Sequence, residues 1–483
     1  MKLQLIDEPA LAFHDGQLHV DIRAGLSTFG AFDKGSEAVP VPIRIGVIGT
    51  TATVDGVRDW LEQCKDGVAS DEKKLTALRP SFPGMTQQVF GTSLEVSDAS
   101  TRTITRHELT AALSRTNPLP HLVEMFMDHA RDLAGKSGLH VLVVAPPPEV
   151  FALGDLARGH LPDPPIDELQ EPAPEQAPAP VTALNFHDLF KAQGLDLQLP
   201  CQLLRPDTYG SVGSSPRAQG RRLQDKATTA WNFHTALYYK AGGVPWRLAR
   251  QSSSLTTCHV GVSFFKSVAG DRLMTSVAQI FDERGEGLIV QGGSASFDKD
   301  DRTPHLSRED AEVLLANGLK SYRREHKTTP ARLVMHKTSS FNEAEREGFR
   351  RAAESENLEV LDLVTVRRSG ARVLRAGESP MVRGTALLFD EKSGIVYLKG
   401  TVPFFNVYPG AYIPRALEFI REDGETSAAD LAKELVGLSK LNFNNTQFDT
   451  GDPVTIRAAR RVGDILKHVP SAKKVNARFR YFT

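Results

Sequence analysis

Four polar side chains in the middle of the chain are of types that together can hold a terminal phosphate. His187 and Lys191 stand four residues apart in FHDLFKA (Phe186 to Ala192), a segment of helical pattern, so they share one helix face. Gln202 follows eleven residues after Lys191, in LPCQLLRP, at the start of a predicted strand. Lys240 closes the set in YYKAGGVPWRL, Tyr238 to Leu248. Two ammonium groups, an imidazole and an amide supply the charge-assisted and neutral hydrogen bonds that a phosphate accepts. Each residue alone has a plainer explanation: a solvated lysine, a packed histidine, a glutamine at a strand end. Lys240 suits the last turn of a helix, near the negative end of its dipole. Gly242 and Gly243 can close that helix in the left-handed conformation, and Pro245 stops it from continuing. A site requires all four to converge.

The elements that must position these residues read as α/β. Ile43 to Gly49 (IRIGVIG) is a short apolar run of the kind found in buried parallel strands, and Thr53 to Cys64 follows with helical spacing. His121 to Ala134 is a second amphipathic helix and Leu139 to Ala145 a second buried strand. This alternation is the pattern of a doubly wound α/β domain. No GxGxxG follows the first strand, which argues against a dinucleotide site. The first 40 residues hold short extended patterns broken by glycine. Residues 161–181 are rich in proline and acidic groups and read as an exposed loop, and residues 211–222 as a second polar loop. From Thr257 the pattern changes to three consecutive strands (CHVGVSFF, RLMTSVAQIFD, GLIVQGG). A helix (Ser307 to Glu325), a strand (ARLVMHK) and a helix (Asn342 to Glu356) come next. Antiparallel strands followed by alternating helix and strand is the order of a ribonuclease-H-like fold.

At 483 residues the chain can form two or three domains with substantial cores. A formal net charge of −1 argues against a generally basic nucleic-acid coat, though not against a local basic channel. Cys64, Cys201 and Cys258 are far apart and give neither a disulfide framework nor zinc spacing, which fits a reducing cytoplasm. The N-terminus lacks a signal peptide's apolar core, and no run approaches about 18 apolar residues, so no membrane span is expected.

The order His187, Lys191, Gln202, Lys240, together with YYKAGGVPW, resembles the MID domain of Argonaute proteins and its junction to PIWI. The opening EPALAF…GLSTFGAFD and the later LNFNNTQ resemble the same family. Histidine at the first of the four positions, and no room before residue 40 for the N and PAZ domains, is similar to the short prokaryotic Argonautes. The resemblance implies a linker-like segment at 1–40, a Rossmann-like MID domain at 41–250 and a ribonuclease-H-like PIWI domain at 251–483. It implies that His187, Lys191, Gln202 and Lys240 bind the 5′ phosphate of a guide strand. It also implies Mg²⁺ beside that phosphate, held by Gln202 and the carboxylate of Thr483, since a carboxylate next to a phosphate needs a cation to offset repulsion.

A cutting PIWI domain holds two metals about 3.5–4 Å apart with four acidic or histidine side chains. The family's first aspartate falls on Ser263 here, the third acid on Thr338 and the fourth on Arg460. Serine, threonine and arginine cannot neutralise two divalent cations, so cleavage is not expected. Asp271, Asp282 and Asp298 read as loop charges. Arg217, Arg221, Arg222 and Lys226, and Arg457, Arg460 and Arg461, are basic clusters that either line a nucleic-acid channel or form solvated faces.

The resemblance therefore implies an RNA guide paired to complementary single-stranded DNA without cutting. The output would come from a partner chain carrying an APAZ region fused to an effector, a sirtuin-like NADase in preference to a TIR one. Target recognition would then deplete NAD⁺ and abort infection by phage or plasmid. Two alternatives stand beside it: an active guide-directed endonuclease with a displaced acid set, and a scaffold that binds no guide.

Overall fold

The computed structural model describes residues 1–136, 138–157, 184–209, 225–249, 255–268, 273–280, 287–297, 303–374, 380–410, 413–470, 475 and 477–483. Residues 161–181 and 211–222, Arg217, Arg221, Arg222, Asp271, Asp282 and Asp298 lie outside them. The chain forms two compact units. One comprises Leu26–Pro245, Phe443–Thr446 and Thr483, and the other Met1–Gly25, Trp246–Asn442 and Gln447–Phe482. The chain passes from the former to the latter inside YYKAGGVPWRL, between Pro245 and Trp246.

The Leu26–Pro245 unit is built on an open parallel sheet. Strand β1 (Ile43–Thr50) leads into helix α1 (Thr51–Lys65), whose N-terminus is capped by the Thr50 side chain. Strand β2 (Thr101–Ile104), helix α2 (Pro118–Ala134) and strand β3 (Val141–Ala145) follow. Helix α3 (Phe186–Gly194), strand β4 (Cys201–Leu203) and helix α4 (Lys226–Lys240) complete the frame. The pairing is β2–β1–β3–β4, all parallel. Every residue of β3 is buried, as a central strand covered on both faces must be. Leu122, Phe126 and Met127 of α2 pack with Phe186 and Phe190 of α3 in one core, which fixes α3 against the sheet.

The Trp246–Asn442 unit carries a ten-stranded mixed sheet. In chain order its elements are β5 (Thr257–Lys266), β6 (Leu273–Ile280), β7 (Gly287–Ser294), α5 (Arg308–His326), β8 (Arg332–Lys337), α6 (Glu343–Ser355) and β9 (Val360–Arg368). Then come β10 (Thr385–Leu388), β11 (Ser393–Val396), β12 (Leu417–Asp423), α7 (Ala428–Leu438), α8 (Val454–Leu466) and β13 (Ala477–Arg478). From one edge the order is Lys2–Leu5, β10, β11, β12, β9, β8, β5, β6, β7, β13. Only β5–β8 and β8–β9 pair in parallel; the other pairs are antiparallel. Helices α5 and α6 cover one face, against Val260, Val262 and Met335. Helices α7 and α8 cover the other, against Val334, Val364 and Phe419. The mixed α/β class read from the sequence is the class observed.

Lys2–Leu5, Leu11–Ala12 and Leu18–His19 are extended as the opening pattern reads, and one segment departs from it. Ile22–Phe29 is an α-helix, started by the Asp21 carboxylate, which accepts from the Ala24 N–H at 2.6 Å. Gly25 misled because it serves packing: a Cβ there would stand 2.2 Å from the Phe13 ring. Among the described residues no helix is long and apolar enough to cross a membrane.

Candidate functional site

Helix α3 begins at Asn185, whose side-chain oxygen caps the Asp188 N–H at 2.8 Å. His187 and Lys191 follow on the helix as expected from their spacing. Lys191 is buried, and its ammonium donates to the Cys201 carbonyl and to the Thr483 oxygen. Lys240, in the last turn of α4, is equally buried and donates to the Asn444 side-chain oxygen at 3.4 Å. Both ammonium groups act on one thiol. Burial pushes Cys201 up to about 11, and the charges of Lys191 and then Lys240 pull against that rise. Lys191 thus contacts the first residue of β4, next to Gln202, and the charge of Lys240, 49 positions further on, reaches the same thiol.

His187 is half-buried, and its Nδ1 lies 3.1 Å from Asp188 Oδ1. The Gln202 amide is partly buried and donates through Nε2 to the Leu203 carbonyl at 3.1 Å. These two residues therefore sit on the elements that form the site, α3 and β4, with the contacts above made to their own chain neighbours.

The helix stop behind Lys240 has the expected chemistry. Gly242 has φ +115°, and the N–H groups of Ala241 and Gly243 donate to Leu237 and Tyr238 carbonyls. Gly243 is required by contact, since a Cβ would meet the Tyr238 ring at 2.3 Å. Asp33 ties the turn down, accepting from the Tyr238 hydroxyl at 2.6 Å and the Val244 N–H at 2.8 Å.

Asn444 was not singled out in the sequence reading, although it lies in LNFNNTQ. Its segment is anchored in the same unit by Phe443, whose ring stands 4.9 Å from Tyr239, and by Thr446. The Thr446 N–H and hydroxyl donate to Asn232 Oδ1 at 2.8 and 3.0 Å. Asn232 on α4 has no signal in the local sequence, because its partner is 214 residues away.

Oxygen donors for a divalent cation are sparse here. Among the described residues no three His, Cys, Asp or Glu side chains come together to hold a metal ion. The Gln202 amide and the Thr483 carboxylate, one oxygen of which already faces the Lys191 ammonium, supply too few oxygens to hold Mg²⁺ without further ligands.

The other three positions lie in the second unit. Ser263 is on β5, paired with Ser276 of β6, and Thr338 follows the end of β8, whose Lys337 pairs with Val262. By alternation Ser263 shares the face of Gly261, and α8 lies on that face: a Cβ on Gly261 would meet the Thr455 carbonyl at 2.1 Å. Arg460 of α8 donates to Asp452 at 3.2 Å, and Arg368 pairs with the same carboxylate at 3.0 Å. Nearby acids are engaged. Glu345 takes Lys337 on both oxygens at 2.6 Å and also meets His305 and the Leu306 N–H at 3.0 Å. Asp362 takes Arg332 and Thr426, each at 2.7 Å. Burial raises Glu434, but His259 and Arg332 outweigh it and bring that carboxyl down to about 2.

No protein-family model matches the sequence, and no curated protein matches it. Solved structures do. One is of Clostridium butyricum Argonaute bound to a guide DNA with a 5′ deoxycytidine and a 19-mer target DNA. It is 12% identical with a TM-score of 0.66, over 99% of this chain and 54% of that one. Another is a crystal structure of Aa-Ago with externally bound siRNA. It is 12% identical with a TM-score of 0.60, over 100% of this chain and 56% of that one. The chain spans about half the length of these structures. At this identity the likeness is one of architecture: the chain is similar to Argonaute structures in its MID–PIWI-like α/β fold.

Proposed function

We propose that the Leu26–Pro245 unit holds a guide strand by its 5′ phosphate, and that the guide pairs with a complementary strand. The observation that carries this reading is a buried Lys191 bonded to the Cys201 carbonyl and a Thr483 oxygen, with a buried Lys240, bonded to Asn444, whose charge also reaches the Cys201 thiol. Burying an ammonium costs several kcal/mol unless its charge is compensated. A phosphate dianion between the two lysines compensates both, through charge-assisted hydrogen bonds. His187 and Gln202 add an imidazole and an amide from α3 and β4. Mg²⁺ enters only with the phosphate, whose oxygens would complete a ligand set that Gln202 and Thr483 begin.

In this reading the chain behaves as a short prokaryotic Argonaute with an RNA guide and a single-stranded DNA target. Ser263, Thr338 and Arg460 stand where cutting relatives have metal-binding groups, so target binding is not followed by cleavage. The response is then assigned to a partner chain with an APAZ region and a sirtuin-like NADase, a TIR effector being the second choice. The test is twofold. Purified protein should bind a 5′-phosphorylated oligonucleotide more tightly than its 5′-hydroxyl twin. With guide, complementary strand and Mg²⁺ or Mn²⁺ it should leave the target intact. Guide-dependent, multiple-turnover cuts would refute the second half, and equal affinity for the twins the first.

A further inference from the structure

Asp188 carries a role that none of the four expected site residues has. Its side chain is buried, its Oδ2 accepts from Asn185 Nδ2 at 2.6 Å, and its Oδ1 faces His187 Nδ1 at 3.1 Å. With Asp188 ionised the carboxylate only accepts, and His187 then carries a hydrogen on Nδ1. In the neutral ring Nε2 then has a lone pair and no proton. Such a nitrogen repels a phosphate oxygen and can face one only after it is protonated. The geometry points to Asp188 as the positioning residue that fixes the His187 tautomer, so that 5′-phosphate binding takes up one proton at His187 Nε2. This deepens the guide-binding reading and rests on it.

Several charged and titratable groups stand around His187 on the described elements. On α3 itself stand Asp188 and Lys191, Cys201 lies on β4, and Asp196 follows the end of the helix. Lys240 and Thr483 reach the same corner through Cys201 and Lys191. Helix α2 turns apolar side chains to α3, with Phe126 against Phe186, and Glu149 on Pro148–Ala157 is exposed. Cys201, pushed up to about 11, stays a thiol at neutral pH. The start of α3 disfavours a cation at His187, and the Asp188 charge offsets that.

Replacing Asp188 by asparagine makes a prediction of opposite sign to simple loss. The Asn185 amide keeps an oxygen opposite it, so Asp188→Asn turns its NH₂ toward His187 Nδ1. The ring must then accept at Nδ1 and carry its hydrogen on Nε2, where it donates to phosphate without a proton from solvent. The experiment measures Kd for 5′-phosphate and 5′-hydroxyl RNA of one sequence, at fixed ionic strength. It runs from about pH 7 to about pH 8.5, where the phosphate, with its second ionisation near pH 6, is already a dianion. In the wild type the preference for phosphate falls with pH, at most about tenfold per unit for one linked proton. In Asp188→Asn it is flat and exceeds the wild type at the alkaline end; in His187→Gln it is flat and lower. Should Asp188→Asn fail to fold, nitrogen NMR of His187 in the wild type decides: Nε2 unprotonated in the free protein at alkaline pH, protonated with the 5′-phosphorylated RNA. A wild-type preference independent of pH, an Asp188→Asn slope equal to wild type, or an Nε2 protonated in the free protein at alkaline pH overturns the inference while leaving phosphate binding standing. No preference at any pH removes the guide-binding reading itself.

Discussion

Each unit buries lysine ammonium groups, and they are used in opposite ways. In the first, Lys191 reaches the Cys201 carbonyl and an oxygen of Thr483, and Lys240 an amide oxygen. In the second, Lys337 lies between both oxygens of Glu345, over the rings of Phe341 and Phe264, in a network that also takes in His305. A lysine matched to a carboxylate is part of the scaffold, because its charge is already answered. Lys191 and Lys240 face main-chain and amide oxygens beside residues of phosphate-binding type, where a phosphate dianion would add charge-assisted bonds. The contrast separates a corner that can take a ligand from one whose polar groups serve only the fold.

The sharpest way to break this contrast is to remove the cations of the first corner. Each charge-assisted contact contributes about 1.5–3 kcal/mol, so Lys191→Ala combined with Lys240→Ala should cost roughly 10²–10⁴-fold in affinity for a 5′-phosphorylated strand. The 5′-hydroxyl strand should lose far less, and filter binding of the pair reads the difference. In the second corner, Glu345→Ala leaves Lys337 buried without its counter-charge. It should cost about 3–5 kcal/mol of stability in denaturant titration with the phosphate preference unchanged. A loss of preference there would erase the distinction between the two corners.

Acid should act on both units through buried neutral histidines. Burial brings His234 down to about 4, its bond to the Ala230 carbonyl opposing, and burial with the His259 charge brings His336 down to about 3. Between those values and the ordinary value near 6.5 the unfolded chain binds the proton and the native chain does not. Stability is therefore whole above about pH 6.5 and falls as pH drops through that window. For His234 the fall is about 3 kcal/mol, and His234→Phe should remove that share of the acid slope while leaving the share from His336. Smaller still are the glycine contacts. Gly243→Ala meets the side-chain ring of Tyr238, buried and tied to Asp33, and should cost about 1–3 kcal/mol. Gly261→Ala meets main chain, that of Thr455, and should be the more costly of the two in thermal unfolding.

The frame of the molecule was legible because local patterns fix it. The apolar run of β1 and the amphipathic α2 are each decided within a few residues of sequence. The helix Ile22–Phe29 was missed because a glycine that admits Phe13 looks the same as one that breaks a strand. At the site, the order of His187, Lys191, Gln202 and Lys240 was visible, and the contacts of Lys191 with Cys201 and Thr483 needed the fold. Asn232 left no trace, and Asn444 and Asp33 were visible only as members of LNFNNTQ and GLSTFGAFD, since each acts on a partner some 200 positions away. Asp188 was in view all along, but its meaning lay in its burial and in the ring it faces.

The partners of the two lysines also set a clock. Asn444 is 204 residues beyond Lys240, and Thr483 is 292 beyond Lys191. A ribosome adding roughly 5–20 residues per second needs about 15–60 seconds to go from Lys191 to Thr483. Through that interval the parallel sheet that carries the lysines can form while its last oxygens are still unsynthesised. The corner is therefore completed well after its lysines are made, and a nascent chain stalled short of Asn444 displays them without the groups that aim them.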